Sequence, residues 1–423
     1  MLDIKFIREN PELIREAARK KRIDFDVSAL LETDEKRRKF MTEIEDLRAR
    51  QNKSSDEVIA ITDPAEREAA IASLRELKDK IVERESAYKK VVERWQELMY
   101  EAPNIPDPSV PDGATDADNI EVRRIGTPRN FDFKIKSHIE LARDLDLADF
   151  ERGAKVSGFR GYFLKNEAAL LSLALWQFTV DTVRKLGYHP FMAPALVREE
   201  NLFGTGHFPQ AREDVFKTQD DLYLAGTAEI PITGYFAGEL MSENDLPKKY
   251  VAFSPCFRRE AGAYGRDTKG IYRVHEFFKV EQFILGPSDH RQSVEFHEEL
   301  TGNAESILQT LGLPYRVVIL CGGDLGRAHV KTYDIETWIP SEGRYRESHS
   351  ASYYHDFQAR RFNIRYKDAS GKINFCHTLN NTAIATPRIL ISILENYQNP
   401  DGSVTIPDAL RKYIGKEKIE KSK

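Results

Sequence analysis

The sequence predicts an α+β domain around a mainly antiparallel sheet, preceded by a long antiparallel helical hairpin. Three observations carry that expectation. All 24 glycines lie at or beyond Gly113, after a stretch rich in Glu, Lys, Arg and Ala. Apolar residues within 40–99 recur at alternating spacings of three and four. Beyond residue 166, apolar and β-branched runs are joined mostly by hairpin-sized turns rather than by regular crossover helices, the pattern of antiparallel pairing.

In the hairpin, the second limb reads Ile71, Leu74, Lys78, Ile81, Glu85, Tyr88, Val92, Trp95, Met99 at these spacings, seven apolar and two charged. The first offers Phe40, Ile44, Leu47 and Val58, interrupted by Gln51 and Ser54. Alternating three–four spacing keeps one stripe turned toward a partner helix, which is coiled-coil logic. Between the limbs, Asp63 can cap, Pro64 suits the first helical position, and Glu66 can reach back to the cap. A second limb of residues 64–101 would be about 55 Å long at 1.5 Å per residue. Basic residues crowd both limbs: Lys36, Arg37, Arg38, Lys39, Arg48, Arg50 and Lys53 on one, Lys78, Lys80, Arg84, Lys89, Lys90 and Arg94 on the other. A reach for an elongated partner, a dimerising spacer and a plain solvated face all fit that pattern. Pro103, Pro106, Pro108 and Pro111 then end any helix, placing a domain boundary near 103–115.

Asn166–Leu186 reads as a long apolar helix, and YHPFMAPALV after it as an edge or terminal strand because of Pro190 and Pro194. YVAFSPCF, FKVEQFIL, YRVVILC and TYDIETWIP look like further strands.

Composition excludes several classes. Across 423 residues, 63 Lys and Arg face 68 Asp and Glu, a net charge of -5, which argues against a uniformly basic nucleic-acid binder but leaves a local basic face open. No apolar run approaches the roughly 20 residues that span a bilayer, so no membrane association is expected. The first residues lack the continuous apolar core of a secretory signal. Cys256, Cys321 and Cys376 stand far apart, so no disulfide framework and no zinc are expected, and a reduced cytoplasmic setting is. GxGxxG, GxxxxGK[ST], GxSxG and HExxH are all absent.

What stands out is charge inside strand-like segments. Arg258, Arg259 and Glu260 end one apolar run, and Glu276 and Glu281 lie in the next. Strand alternation would put Arg258 and Glu260 on one face. Buried charges are costly unless paired or bound to a charged ligand, so either a structural Arg–Glu ladder or a polar site on a sheet is expected. Glu347 and Thr227-Ala228-Glu229 supply more carboxylates, and Arg388 opens the helical segment TPRILISILENYQ, where N–H groups and a guanidinium could face an anion. Arginines and carboxylates without a nucleophile elbow suit displacement at phosphorus.

Over nearly its whole length the chain resembles the seryl-tRNA synthetases, class II aminoacyl-tRNA synthetases. FRREAGAYGRDTKGIYRVHEFFKVEQ resembles that class's second motif, TLNNTAIATPRILISILENYQ the third, and the long helix with Gly187 and Pro194 the loosest, first motif. GTAE, CGGDLG, KTYDIETW and DFQARR match serine-family segments. The resemblance implies an N-terminal domain of residues 1–108 carrying a tRNA-binding coiled-coil arm (about 28–101) and a class II catalytic domain of 109–423. It also implies a homodimer that takes ATP, L-serine and tRNA(Ser), with tRNA(Sec) left open.

By the same resemblance, Thr227, Ala228 and Glu229 would bind serine, Glu229 holding its ammonium. Arg258 would bridge the serine carboxylate and the α-phosphate, and Glu281 and Thr382, with Asn380 nearby, would read the serine hydroxyl. Arg259, Glu260, Val274, His275, Glu276 and Phe277 would line the ATP stretch. Glu260 would accept from the adenine amino group, and Phe277 and Arg388 would sandwich the ring. Glu347 and Ser350 would hold Mg2+ with the phosphates, beside Ser348 and His349, making Arg258, Glu347 and Arg388 the catalytic set. Arg266 and Lys269, in loop 261–271, would approach ATP or the tRNA end. Two positions depart from the family pattern: Asn381, where glycine is usual, and His349, where a small residue is. Rival readings are an arm-less homologue that charges carrier proteins and uses zinc, a catalytically inactive RNA-binding or structural paralogue, and a class II synthetase for another amino acid.

Overall fold

The computed structural model describes residues 1–421 except Tyr264 and Arg266, so the expectation for Arg266 lies outside the described residues. The chain divides into two compact units, one of residues 2–19 and 23–103, the other of Met1, residues 20–22 and residues 104–423.

The first unit is helical: α1 (Ile4–Glu9), α2 (Pro11–Lys20), α3 (Val27–Ala60) and α4 (Pro64–Glu101). α3 and α4 pack along one another as the expected hairpin. The Asp63 carboxylate accepts from the N–H groups of Ala65 and Glu66, and Pro64 takes the first helical position. Glu66 does not return a bond to the Asp63 N–H, so the cap is one-sided. Buried residues concentrate at the root and thin out toward the turn: Val27, Leu30, Asp34 and Ile44 on α3, Ile81, Leu98 and Met99 on α4. At the root the fully buried Asp34 carboxylate gathers Arg37 at 2.8 Å, Arg38 at 3.3 Å and Arg8 at 3.5 Å, and these three guanidiniums offset its buried charge. Farther out, Arg48–Glu85 (2.6 Å) and Arg84–Glu43 (3.6 Å) tie the limbs across exposed edges.

The second unit centres on an eight-stranded sheet. In chain order its strands are β1 (Ile120–Ile125), β2 (His189–Met192), β3 (Lys248–Phe257), β4 (Glu276–Gly286), β5 (Tyr315–Ile319), β6 (Lys331–Ile339), β7 (Arg344–Tyr353) and β8 (His377–Thr386). Their spatial order is β1-β5-β6-β7-β8-β4-β3-β2. Every pair is antiparallel except β2–β3, and the proline-bearing β2 is indeed the terminal strand. α5 (Asn166–Arg184), α7 (His290–Thr310) and α9 (Arg388–Asn396) pack against the sheet around one apolar core that includes Leu171, Leu175, Leu300, Ile307, Ile384 and Ile391, while α6 (Glu229–Tyr235) and α8 (Phe357–Phe362) share a second that includes Ile232 and Ala359. All ten residues of β8 are buried, as befits a central strand covered on both faces. No helix among the described residues is long and apolar enough to cross a membrane.

Two irregularities shape the sheet where it matters. Thr382 pairs with Glu281 but Ile384 with Val280, so Ala383 is an extra residue that shifts the parity of β8. Asn380, Thr382 and Ala385 can then all face the same side. β7 pairs with β8 only from Ala351 to Tyr353, so the two strands part before Glu347 and leave a cleft between them.

Candidate active site

That cleft is a cavity of about 200 Å³ floored by β4, β7 and β8. It brings together most of the residues that the sequence singled out: Thr227, Glu229, Arg258, Glu260, Val274, Phe277, Glu281, Glu347, Ser348, His349, Ser350, Asn380, Thr382 and Arg388 all line it. Ala228, Arg259, His275 and Glu276 do not. Ala228 is buried in a neighbouring apolar cluster, and Arg259 donates to the Glu213 carbonyl. The His275 ring bonds the Arg258 carbonyl at 3.0 Å, while the Glu276 side chain is exposed. Lys269 is exposed outside the cavity.

Arg258 and Glu260 reach the cleft for a different reason than alternation. β3 ends at Phe257, so neither is a strand residue. The Arg258 N–H still bonds the His275 carbonyl at 2.9 Å, extending the ladder by one rung. Glu260 then takes a left-handed φ of 55°, which turns its side chain toward Arg273, 3.0 Å away. Among the described residues the Arg258 guanidinium has no ion-pair partner, and it lies 5.2 Å from the centre of the Phe277 ring. A guanidinium left without a carboxylate in a cleft is built for an anion.

Arg388 opens α9 as the sequence suggested. It pairs with Glu347 at 3.1 Å and stacks over Tyr272 at 4.5 Å. Burial opposes its charge, yet Glu347, Tyr272 and Glu260 hold its pKa above the ordinary arginine value. Burial pushes the Glu347 carboxyl up, but Arg388, Arg258 and Arg273 outweigh it and keep that carboxyl below the usual range. Burial lowers His207 to about 4, helped by Arg258; His349 to about 4; and His329 to about 3, helped by Lys21. All three are therefore neutral near pH 7.

Glu229, at the start of α6 (Glu229–Tyr235), is the opposite case. Burial and the nearby Glu281 carboxylate push it up to about 7. Its Oε1 accepts from Gln358 Nε2 at 2.6 Å, and the Gln358 carbonyl accepts from Thr378 at 2.6 Å. Of the two departures from the family pattern, Asn381 is absorbed into the sheet, accepting from Gln282 at 2.7 Å and donating to the Ser350 carbonyl at 3.2 Å. His349 is buried, its Nδ1 2.7 Å from the Ser348 hydroxyl.

Sequence reasoning missed Lys279, Tyr272, Tyr354, His207 and His329, which line the same cavity, and Gln358, which holds Glu229. Lys279 was the one with a visible mark, two residues before Glu281 and so on the same strand face. Gln358 reaches Glu229 across 129 positions, a distance that no local pattern spans.

An antiparallel sheet carrying arginines and carboxylates, with a third-motif arginine at a helix start, defines the class II aminoacyl-tRNA synthetase core. Residues 214–397 match the family model described as tRNA synthetase class II core domain (G, H, P, S and T), and residues 1–106 that of the seryl-tRNA synthetase N-terminal domain. The chain is 45% identical over 420 residues to the serine–tRNA ligase of Deinococcus radiodurans, covering 99% of each. It is 47% identical over 422 residues to that of Caldicellulosiruptor saccharolyticus, covering 99% of this chain and 100% of the relative. Among solved structures, the Pyrococcus horikoshii seryl-tRNA synthetase complexed with ATP matches at TM-score 0.91 and 41% identity over the full length of both chains. The chain belongs to the seryl-tRNA synthetase family.

Proposed function

We propose that the chain is a serine–tRNA ligase that activates L-serine with ATP and passes it to the 3′ end of tRNA(Ser). The observation that carries this reading is Arg258, a cation without an ion-pair partner among the described residues, facing a cleft in which Glu260, Glu281 and Glu347 are already paired with other cations. Arg258 would take the serine carboxylate and the α-phosphate together, aligning one oxygen of the first for attack on the phosphorus of the second. Pyrophosphate leaves, and the terminal adenosine hydroxyl then attacks the acyl carbon, releasing AMP. Glu229 would hold the substrate ammonium, and Glu260, Phe277 and Arg388 the adenine. Glu260 and Arg388 are held by Arg273 and Glu347, so they meet the substrates already oriented.

Glu347 and Ser350 offer a carboxylate and a hydroxyl oxygen, the hard donors that Mg2+ prefers. Among the described residues no group of three or more His, Cys, Asp or Glu is arranged to hold a metal ion alone, which suits an ion shared with phosphates. When bound, the ion neutralises phosphate charge and steadies the leaving pyrophosphate.

The hairpin would embrace the tRNA. Lys36, Lys39, Arg50, Lys78, Lys80, Lys89 and Lys90 form no ion pair among the described residues, leaving their charge for a phosphate backbone. Exposed Leu170 and Leu173 on α5 and Met192 on β2 offer an apolar face for a homodimer, a state that equilibrium sedimentation reads directly. Three free, buried cysteines favour a cytoplasmic setting.

The deciding experiment is ATP–pyrophosphate exchange with each of the twenty amino acids. Exchange with serine is expected, and exchange with another amino acid in its place would overturn the proposal.

A further inference from the structure

We infer that Lys279 is the specificity-determining donor of the amino-acid pocket, giving one N–H to the substrate hydroxyl while Glu281 accepts that hydroxyl's hydrogen bond. The inference rests on the proposed serine activation and deepens it. Lys279 Nζ lies 2.8 Å from Glu281 Oε2, 2.9 Å from Thr227 Oγ1 and 3.4 Å from Thr382 Oγ1. The Lys279 and Glu281 side chains are only 7% and 3% exposed. An ammonium has three donors and no acceptor. Two of the three are spent on short contacts, and the third is stretched toward Thr382, a bond weak enough to be exchanged for a better acceptor.

Glu281 shows the complementary opening. Its Oε2 takes both Lys279 and the Thr227 hydroxyl, the latter at 2.5 Å, while its Oε1 has no hydrogen-bond partner among the described residues. Thr227 is saturated, its proton given to Glu281 and its oxygen accepting from Lys279 and, at 3.4 Å, from the Glu229 N–H. Thr227 therefore holds the pair in position. One loose N–H and one open carboxylate oxygen, on residues two apart on the same face of β4, match a hydroxyl, which donates once and accepts on its lone pairs. The cross-strand neighbour of Lys279 is the small Ala385, which also lines the cavity. Alanine as substrate would use neither opening, and the thiol of cysteine would fill both weakly.

A buried Lys–Glu pair can also be purely structural, and the test separates the two roles. Full-length Lys279→Met and Lys279→Gln are compared with the wild type in serine-dependent and alanine-dependent ATP–pyrophosphate exchange. In Lys279→Met, kcat/KM for serine should fall about 100-fold or more while KM for ATP stays within about twofold, and the serine-to-alanine ratio of kcat/KM should narrow by about the same factor, since only the hydroxyl substrate loses a partner. Lys279→Gln keeps an N–H donor and should recover about a tenth or more of the wild-type serine activity with a ratio between the two. If Lys279→Met does not fold, the narrowed ratio of the Gln variant carries the test. A wild-type ratio in the variants, or ATP and serine parameters that decline together, overturns the role of Lys279. Wild-type protein without serine-dependent exchange overturns the proposed function, and this inference with it.

Discussion

The hairpin and the catalytic cleft use the same side chains to opposite ends. On α3 and α4, arginines and glutamates meet at the surface, as in Arg48–Glu85, whose side chains are 62% and 41% exposed. Pairs of that kind are worth about 0–1 kcal/mol each and weaken with salt. In the cleft, Lys279 and Glu281 meet almost fully buried, beside Arg258, which has no ion-pair partner among the described residues, and Glu229, whose carboxyl is pushed up to about 7. There, each charge fixes the protonation and direction of its neighbours. The hairpin should thus tolerate single charge changes and depend on its total of free cations, whereas the cleft depends on individual atoms.

The most forceful way to break that comparison is to remove one region. Deleting residues 36–97 with a short turn inserted closes the helices near their root, where Arg37 lies 4.8 Å from the centre of the Trp95 ring. Serine-dependent exchange should stay within about threefold of wild type, while tRNA charging should fall about 100-fold or more, because the seven cations without an ion pair among the described residues would no longer be there to meet phosphates. Charging at the wild-type rate by the shortened protein would remove the hairpin from tRNA recognition.

The two regions were also unequally legible. The hairpin could be read almost residue by residue, because a three–four repeat and an Asp-Pro cap are local instructions: α4 spans Pro64–Glu101, the limits that the pattern gave. In the cleft, the unusual residues announced themselves and the ordinary ones did not. Arg258 and Glu260 stood out as charges after an apolar run, although a strand end and a left-handed turn, not alternation, aim them. Lys279 was marked only by its spacing from Glu281, and its neighbour Thr382 came from β8, 103 positions away. Tyr272 gained its place only by stacking under Arg388, 116 positions away. A site assembled across strands is a property of register, and register is not written in any short segment.

A smaller effect sharpens the cleft side of the comparison. Glu229 carries a folded pKa of about 7, raised first by burial and then by Glu281. On the proposed role of Glu229, only its ionised form would attract the serine ammonium, so binding should be favoured above pH 7 and lost as protons are added below it. Measured as kcat/KM for serine in exchange, activity should fall toward about tenfold per pH unit below pH 7, with kcat/KM for ATP at saturating serine changing less. Glu229→Gln should lower activity at pH 8 and flatten this limb. An unchanged limb in that variant would assign the titration to another group.

The smallest effect belongs to the hairpin turn. Asp63 alone caps α4, through its carboxylate bonds to Ala65 and Glu66, and Glu66 adds no return bond. Asp63→Ala should therefore cost about 1 kcal/mol of local stability, and Asp63→Ser should recover most of it. That loss should surface as faster amide exchange in the first turn of α4 rather than as a lower midpoint for the whole chain, because few buried contacts lie near the turn to spread it. Serine-dependent exchange should not change at all. A fall in activity from this cap would mean that the hairpin tip and the cleft are energetically coupled, and the contrast drawn between a tolerant surface and an exacting interior would have to be redrawn around that link.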